Sequence, residues 1–238
     1  MKTSFFLFLL LFNTNGDYQI TSYVNDYSKI LNSGDAKELN NRLISIDSVS
    51  NTQIVFLIIP SLGGKNIYEY ALQVANEYKI GKQYLNNGIL FVISPEERNM
   101  RFMLGNGMEH LISDEKADSI FQLLVPFLKA KKYYECFNRF VDLVEETNGI
   151  NWKTIISVNS KVELARLGNY PAKIVGKITE VTGNSFTFSS DNFEIELKIP
   201  FHYKHRDYLM LLYGKKENTT VYFIKNPFNK DEFCFVGI

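Results

Sequence analysis

Two apolar runs limit the folds open to this chain more than any other feature. Ile54-Val55-Phe56-Leu57-Ile58-Ile59 and Ile89-Leu90-Phe91-Val92-Ile93 are continuous and rich in β-branched residues, with no polar alternate position. A strand of that kind is buried on both faces, as in the middle of a sheet covered by helices. Between the runs, Ile67, Ala71, Val74 and Tyr78 recur at helical spacing until Gly81 stops the pattern. Strand, helix and strand predict a right-handed crossover and therefore two parallel strands. The polar turn Ser94–Asn99 then leads into Met100–Leu104, a third strand that returns antiparallel beside the second.

Helices are expected around this core. Ala36, Leu39, Leu43 and Ile46 recur at three- and four-residue steps between Asp35 and Ile46, with Ser33 placed as an N-cap. Two more run from about Asp114 to Lys129, with Ala117, Phe121, Leu124 and Leu128 on a face, and from about Tyr133 to Glu146, with Phe137, Phe140, Val141 and Val144. Pro126 should kink or shorten the first of these, because proline lacks an amide hydrogen and clashes with the preceding turn. The expectation is an α/β three-layer sandwich over residues 17–149.

The texture changes after Asn148-Gly149. Ile174–Val181, Ser185–Phe188, Phe193–Ile199, Tyr208–Tyr213, Val221–Ile224 and Phe233–Val236 are short runs rich in Val, Ile, Phe and Tyr. Turn signals separate them at Gly183-Asn184, Ser190-Asp191-Asn192, Gly214 and Asn226-Pro227. Such spacing predicts a small, mostly-β domain, a meander or barrel, over residues 150–238, with residues 150–171 read as a linker or a packed connection. A composition 45% hydrophobic and 22% charged belongs to a packed chain and excludes disorder of the whole. Lys plus Arg and Asp plus Glu stand at 26 each, so there is no basic excess to neutralise phosphates, which argues against nucleic acid as a partner.

At the N-terminus, Lys2 precedes the apolar run Ser4–Phe12, which has the length of a secretory h-region and falls short of the roughly 20 residues that span a bilayer. Thr14-Asn15-Gly16 supplies small residues for cleavage, so residues 1–16 read as a signal peptide rather than an uncleaved anchor. The secreted chain is then expected in a periplasmic, lumenal or extracellular space, with no transmembrane segment after cleavage. An oxidising compartment permits a bond between Cys136 and Cys234, but two cysteines so far apart in sequence read more readily as two buried thiols.

Topology places the candidate site. Asn86-Asn87-Gly88 lies just before the second strand and Gly105-Asn106-Gly107-Met108-Glu109 just after the third, so both loops are expected at one end of the sheet. Gly88, Gly105 and Gly107 allow backbone conformations closed to other residues and let a loop approach a ligand. The oxygen-bearing side chains of Asn86, Asn87, Asn106 and Glu109, with Asp114 a little further on, are hard ligands that suit Ca2+ or Mg2+ rather than zinc. The same residues also read as ordinary turn residues that cap a strand and a helix. Elsewhere, His202 and His205 read as a solvated turn, and Gly63-Gly64 after Ser61 as a strand-to-helix turn. Lys129-Ala130-Lys131-Lys132 carries charge that complements a helix C-terminus.

Tyr23-Val24-Asn25-Asp26-Tyr27, Pro60-Ser61-Leu62-Gly63-Gly64, Tyr78-Lys79-Ile80-Gly81, Asn86-Asn87-Gly88-Ile89-Leu90, Arg101, Gly105–Glu109 and Asp114 follow one another as in the TPM domain. Over roughly residues 20–148 the chain resembles this family of exported or lumenal domains. The resemblance implies an α/β/α sandwich. It also implies phosphatase-like members that bind divalent cations through acidic residues in a shallow groove, beside others that serve as assembly or maintenance factors for membrane complexes. Asp26 matches the aspartate of the family's V-x-D segment, and Glu109 and Asp114 match the acidic positions after the glycine-rich turn. Asn87 and Gly88 match the last two residues of the family's Asp-Asn-Gly, whereas Asn86 stands where the family has a carboxylate. An amide oxygen can ligate calcium, but it carries no charge and cannot act as a base.

Two functions follow. A metal-dependent, phosphatase-like hydrolase would hold a divalent ion in the acidic loops, where it polarises a phosphoryl oxygen of a phosphomonoester and activates water. A non-catalytic binding or maintenance module, with or without a bound divalent cation, would act on an envelope or membrane-complex partner together with the β domain. The amide at position 86, the lack of a histidine or serine placed for catalysis, and the aromatic-rich C-terminal part favour the module.

Overall fold

The computed structural model describes residues 18–147, 155–168, 170–199, 212–213, 217–226, 229 and 232–238. β1 (Val24–Asp26) leads to α1 (Ser33–Ser50), β2 (Gln53–Ile58), α2 (Ile67–Tyr78), β3 (Gly88–Ser94) and β4 (Asn99–Leu104). The sheet order is β1-β2-β3-β4, with the first three parallel and β4 antiparallel to β3. The parallel pairing and the antiparallel return are therefore as the sequence predicts. No apolar run announces β1. The buried side chain of Asn25 fixes it instead, accepting from the Thr21 and Ser22 amides and donating to the Phe56 carbonyl of β2.

α3 (Asn106–Glu109), α4 (Asp114–Lys129) and α5 (Tyr133–Thr147) complete a mixed α/β domain. Alternate residues of the central strands feed two apolar clusters. Ile54, Phe56, Ile58, Phe91 and Ile93 pack with Leu39 and Leu43 of α1, Leu124 of α4, and Phe137 and Phe140 of α5. Val55, Leu57, Leu90 and Val92 pack with Tyr70, Ala71 and Val74 of α2. Across the first cluster Arg42 ties α1 to α5, its Nη2 lying 2.6 Å from Asp142 and 2.7 Å from Glu145.

Two local expectations change. The N-cap of α1 is Asn32, whose Oδ1 accepts from the Asp35 amide at 2.9 Å, and Ser33 is the first helical residue. Pro126 lies inside the last turn of α4, which runs on to Lys129, and its carbonyl accepts from the Ala130 amide. Proline has no amide hydrogen to send back to the Gln122 carbonyl of the preceding turn, while its own carbonyl still closes the turn after it.

The C-terminal part contains β5 (Ile156–Ser157), α6 (Lys161–Ala165), β6 (Ala172–Val181), β7 (Ser185–Ser189), β8 (Glu194–Lys198), β9 (Thr219–Lys225) and β10 (Phe233–Gly237). Among the described residues its strands run β5-β6-β7-β8-β10-β9, and β9 returns to pair with β6, so the sheet closes into a barrel-like form. Val158, Leu164 and Leu167 are buried in the barrel core. The expected signal segment 1–16, His202, His205 and most of the expected strand Tyr208–Tyr213 lie outside the described residues.

The two parts share a core. Val221, Phe223 and Phe235 belong to the barrel cluster, while the alternate residues Ile224, Cys234 and Val236 belong to the α/β cluster beside Leu85, Met108 and Ile112. A strand pattern with period two thus divides β9 and β10 between two interiors.

Candidate functional site

The register sets Gln53 beside Gly88 and Ile89 beside Leu104, so the loop ending at Gly88 and the one starting at Gly105 meet at one end of the sheet. Backbone hydrogen bonds lace them together: the Gly105 amide donates to the Gly88 carbonyl at 2.8 Å, and the Gly107 amide to the Asn86 carbonyl at 3.0 Å. The glycines serve this lacing. A Cβ on Gly88 would lie 2.2 Å from the Ile80 oxygen, and one on Gly105 would lie 2.1 Å from the Asn86 oxygen. Their missing side chains make room for backbone, where the sequence alone suggests a ligand.

Asn87 is fully buried and committed to structure, its Oδ1 accepting from the Lys82 amide and its Nδ2 donating to the Asn51 carbonyl. Asn86 has φ 47°, a left-handed conformation that asparagine tolerates better than most residues. Its Nδ2 donates to the Val236 carbonyl of β10 at 2.8 Å. Beside it, His110 Nε2 lies 3.2 Å from the Phe235 carbonyl. A carbonyl only accepts, so the imidazole carries its proton on Nε2. Burial pushes this histidine down to about 4, against the upward pull of that hydrogen bond and of Glu232, and the ring is neutral near pH 7.

Asp26 does not join this group. It ends β1 beside Ile58, whereas Gly88 is beside Gln53, so the two lie at opposite ends of β2. The span is about 17 Å at the rise of a β-strand. Asp26 Oδ2 accepts from the Leu31 amide at 2.9 Å and shapes the entry to α1, while Oδ1 is buried with no hydrogen-bond partner. Glu109 and Asp114 do border the same groove as Asn86 and Asn106. That is two carboxylates and two amide oxygens, where a Ca2+ site gathers six to eight oxygens from carboxylates, carbonyls and water. Among the described residues, no three His, Cys, Asp or Glu side chains come together in a way that could hold a metal ion. Asp26 thus lies apart from the other residues of the ligand set that the resemblance implies.

Above the laced loops runs a groove of about 1760 Å³, walled by both parts of the chain. Tyr68 of α2 and Lys79 at its C-cap, Arg101 of β4, Asp118 and Phe121 of α4, and Lys198 and Glu232 of the barrel all line it. The Arg101 guanidinium lies over the Tyr68 ring, 5.0 Å from its centroid. Both signs of charge and exposed aromatic rings face the opening.

The remaining candidates are structural. Ser61 Oγ donates to Glu97 Oε1 at 2.7 Å, and Gly63 and Gly64 take positive φ in the turn toward α2. Cys136 and Cys234 are free and buried in the shared core, and burial pushes both thiols up to about 12. Nothing local in the sequence marks the partnership of Asn86 and His110 with β10, since the acceptors are backbone carbonyls more than a hundred residues away.

Fold and site define a mixed α/β module with a glycine-laced turn at one end of its sheet, fused to a barrel-like β part. The TPM domain family matches residues 24–147, and the chain belongs to that family. Among solved structures it is similar to the N-terminal domain of a protein from P. gingivalis, with 26% identity over 53% of this chain and 82% of that one and a TM-score of 0.48. It is also similar to the N-terminal domain of the cg2496 protein from Corynebacterium glutamicum, with 14% identity over 59% of this chain and 89% of that one and a TM-score of 0.46. None of the curated proteins matches. No helix among the described residues is long and apolar enough to cross a membrane.

Proposed function

We propose that the chain is an exported TPM-domain protein that acts as a non-catalytic binding or maintenance module for an envelope or membrane-complex partner. The groove carries this reading. TPM domain and barrel build it jointly, it presents both signs of charge, and Tyr68 and Phe121 stand exposed in it, a chemistry suited to a polypeptide surface. The apolar run Ser4–Phe12 and the family's setting support export to a periplasmic, lumenal or extracellular space. The packing of α2 against one set of strand residues and of α1, α4 and α5 against the other supports the three-layer arrangement.

A phosphatase-like hydrolase has less support. Hydrolysis assisted by a divalent ion needs acidic groups gathered around it. Asp26 lies at the far end of the sheet from Glu109, and position 86 carries no charge. Titration of the full chain with Ca2+ or Mg2+, followed by thermal shift and alongside hydrolysis of a generic phosphomonoester, separates the two. The module reading expects neither a cation-dependent shift nor turnover, and turnover that requires the cation would overturn it. Recovery of an envelope partner should fall when Arg101→Glu and Phe121→Ser alter the groove, and should survive Val49→Ser on the exposed side of α1. Equal recovery from all three would remove the groove from the reading.

A further inference from the structure

We infer that the turn which the TPM resemblance assigns to a divalent cation is, in this chain, the socket that seats its own strand β10, and that the amide of Asn86 makes that use possible. The strand is shaped for the socket. Its pairing with β9 shifts register between Phe235 and Gly237, a bulge that takes Val236 out of the ladder. The Val236 carbonyl is met by Asn86 Nδ2 at 2.8 Å, and the preceding carbonyl, of Phe235, by His110 Nε2 at 3.2 Å. Two successive carbonyls of one strand thus find two donors on the TPM domain.

Position 86 has to donate. A carboxylate only accepts, so an aspartate there would set its charge against the Val236 carbonyl and leave that oxygen without a partner. The residue type that a cation would favour is the one that β10 excludes. A carboxylate at position 86 cannot serve both.

The fit around this contact is close. A Cβ on Gly237 would lie 2.1 Å from the Tyr84 oxygen and 3.0 Å from Asn86 Nδ2, so a larger residue would lift β10 off the turn. Tyr84 stacks on Tyr222 of β9 with ring centroids 5.2 Å apart and planes 11° from parallel. It does so at φ 69°, a conformation that a bulky residue keeps only where its surroundings fix it. Below, Cys234 and Val236 enter the α/β core beside Leu85 and Met108.

The test uses the full chain, with thermal unfolding and amide exchange measured for wild type, Asn86→Asp and Asn86→Ala in EDTA, excess Ca2+ and excess Mg2+. Stability is expected to fall in the order wild type, alanine variant, aspartate variant, with Asn86→Asp melting about 4 °C or more below wild type and unmoved by either cation. Backbone preference alone gives the opposite order for the two variants, because aspartate tolerates positive φ better than alanine. An Asn86→Asp protein as stable as wild type, or one stabilised by Ca2+ or Mg2+, would overturn the inference. Asn86→Ala adds no charge and provides a second reading: amide exchange at residues 233–237 should quicken by about tenfold while β2 and β3 keep their rates. Unchanged exchange at residues 233–237 would overturn it even if Asn86→Asp yielded no folded protein.

Discussion

The Lys82 ammonium lies 2.8 Å from Asp47 Oδ1 and joins the segment that leads to Asn86 to the last part of α1. Tyr23, just ahead of β1, donates to the other oxygen of the same carboxylate at 2.6 Å. Asp47 thereby holds three parts of the chain at the end of the sheet where the docking turn is built. Its side chain is 10% exposed, against 37% for Lys82. Asp47→Asn should cost about 1–3 kcal/mol in chemical denaturation, because two donors lose a charged acceptor in a mostly buried place. Lys82→Met should cost less, since that side chain is half in water and the phenol keeps its bond. Equal losses would show that the Tyr23 bond adds nothing.

His110 gives the fold an acid limit. Its folded-state value is pushed down to about 4 by burial, against 6.5 for an ordinary imidazole. Between these values the unfolded chain takes up a proton that the folded chain refuses. The sign is therefore fixed: this stabilisation is complete above about pH 6.5 and is lost as pH falls toward 4. His110→Gln keeps a donor for the Phe235 carbonyl and does not titrate. Its melting temperature should fall less steeply than that of wild type between pH 6.5 and 4, and parallel curves would assign the acid limit to other groups.

Two glycines that look alike in sequence should respond differently to alanine. Gly105 faces the Asn86 carbonyl, 2.1 Å from where a Cβ would sit, so Gly105→Ala must push two laced loops apart. Gly63 has φ +61° and nothing within 4 Å of such a Cβ, so only backbone strain opposes its replacement. Gly63→Ala should cost about 1 kcal/mol, and Gly105→Ala about 3 kcal/mol or more. Comparable losses in denaturant titration would contradict the close approach at Gly105.

Most of the α/β part is legible in the residues themselves. Ile54–Ile59 and Ile89–Ile93 announce buried parallel strands because every position in them is apolar, and the polar turn before Met100 announces the antiparallel return. Helical periodicity locates α2, α4 and α5 for the same reason, that one face of each must be buried. β1 is hidden because a buried asparagine holds it. At the site, sequence order correctly brings the loops at Gly88 and Gly105 together, since that follows from strand direction. It does not show that Asp26 sits at the far end, because β1 is the element that fixes its place. Nor does it show where Asn86 points, since backbone carbonyls of β10 carry no side-chain signature.

The sharing of one core by both parts makes the barrel more than an appendage. Ile224, Cys234 and Val236 are fully buried in the α/β cluster, against Leu85, Met108 and Ile112, while their sequence neighbours Phe223 and Phe235 fill the barrel. Ending the chain at Thr147 would strip that cover and also leave Asn86 and His110 without the carbonyls they meet. Each apolar side chain so affected is worth roughly 1.5–3 kcal/mol, and three of them approach the whole stability of a typical domain. The truncated domain should melt well below the full chain and bind a hydrophobic dye at temperatures where the full chain does not. A truncated domain with the melting temperature of the full chain and no dye binding would show that the two interiors are independent. In that event the contact with β10 would be a surface touch, and loss of partner recovery on truncation could be read directly as loss of a binding wall.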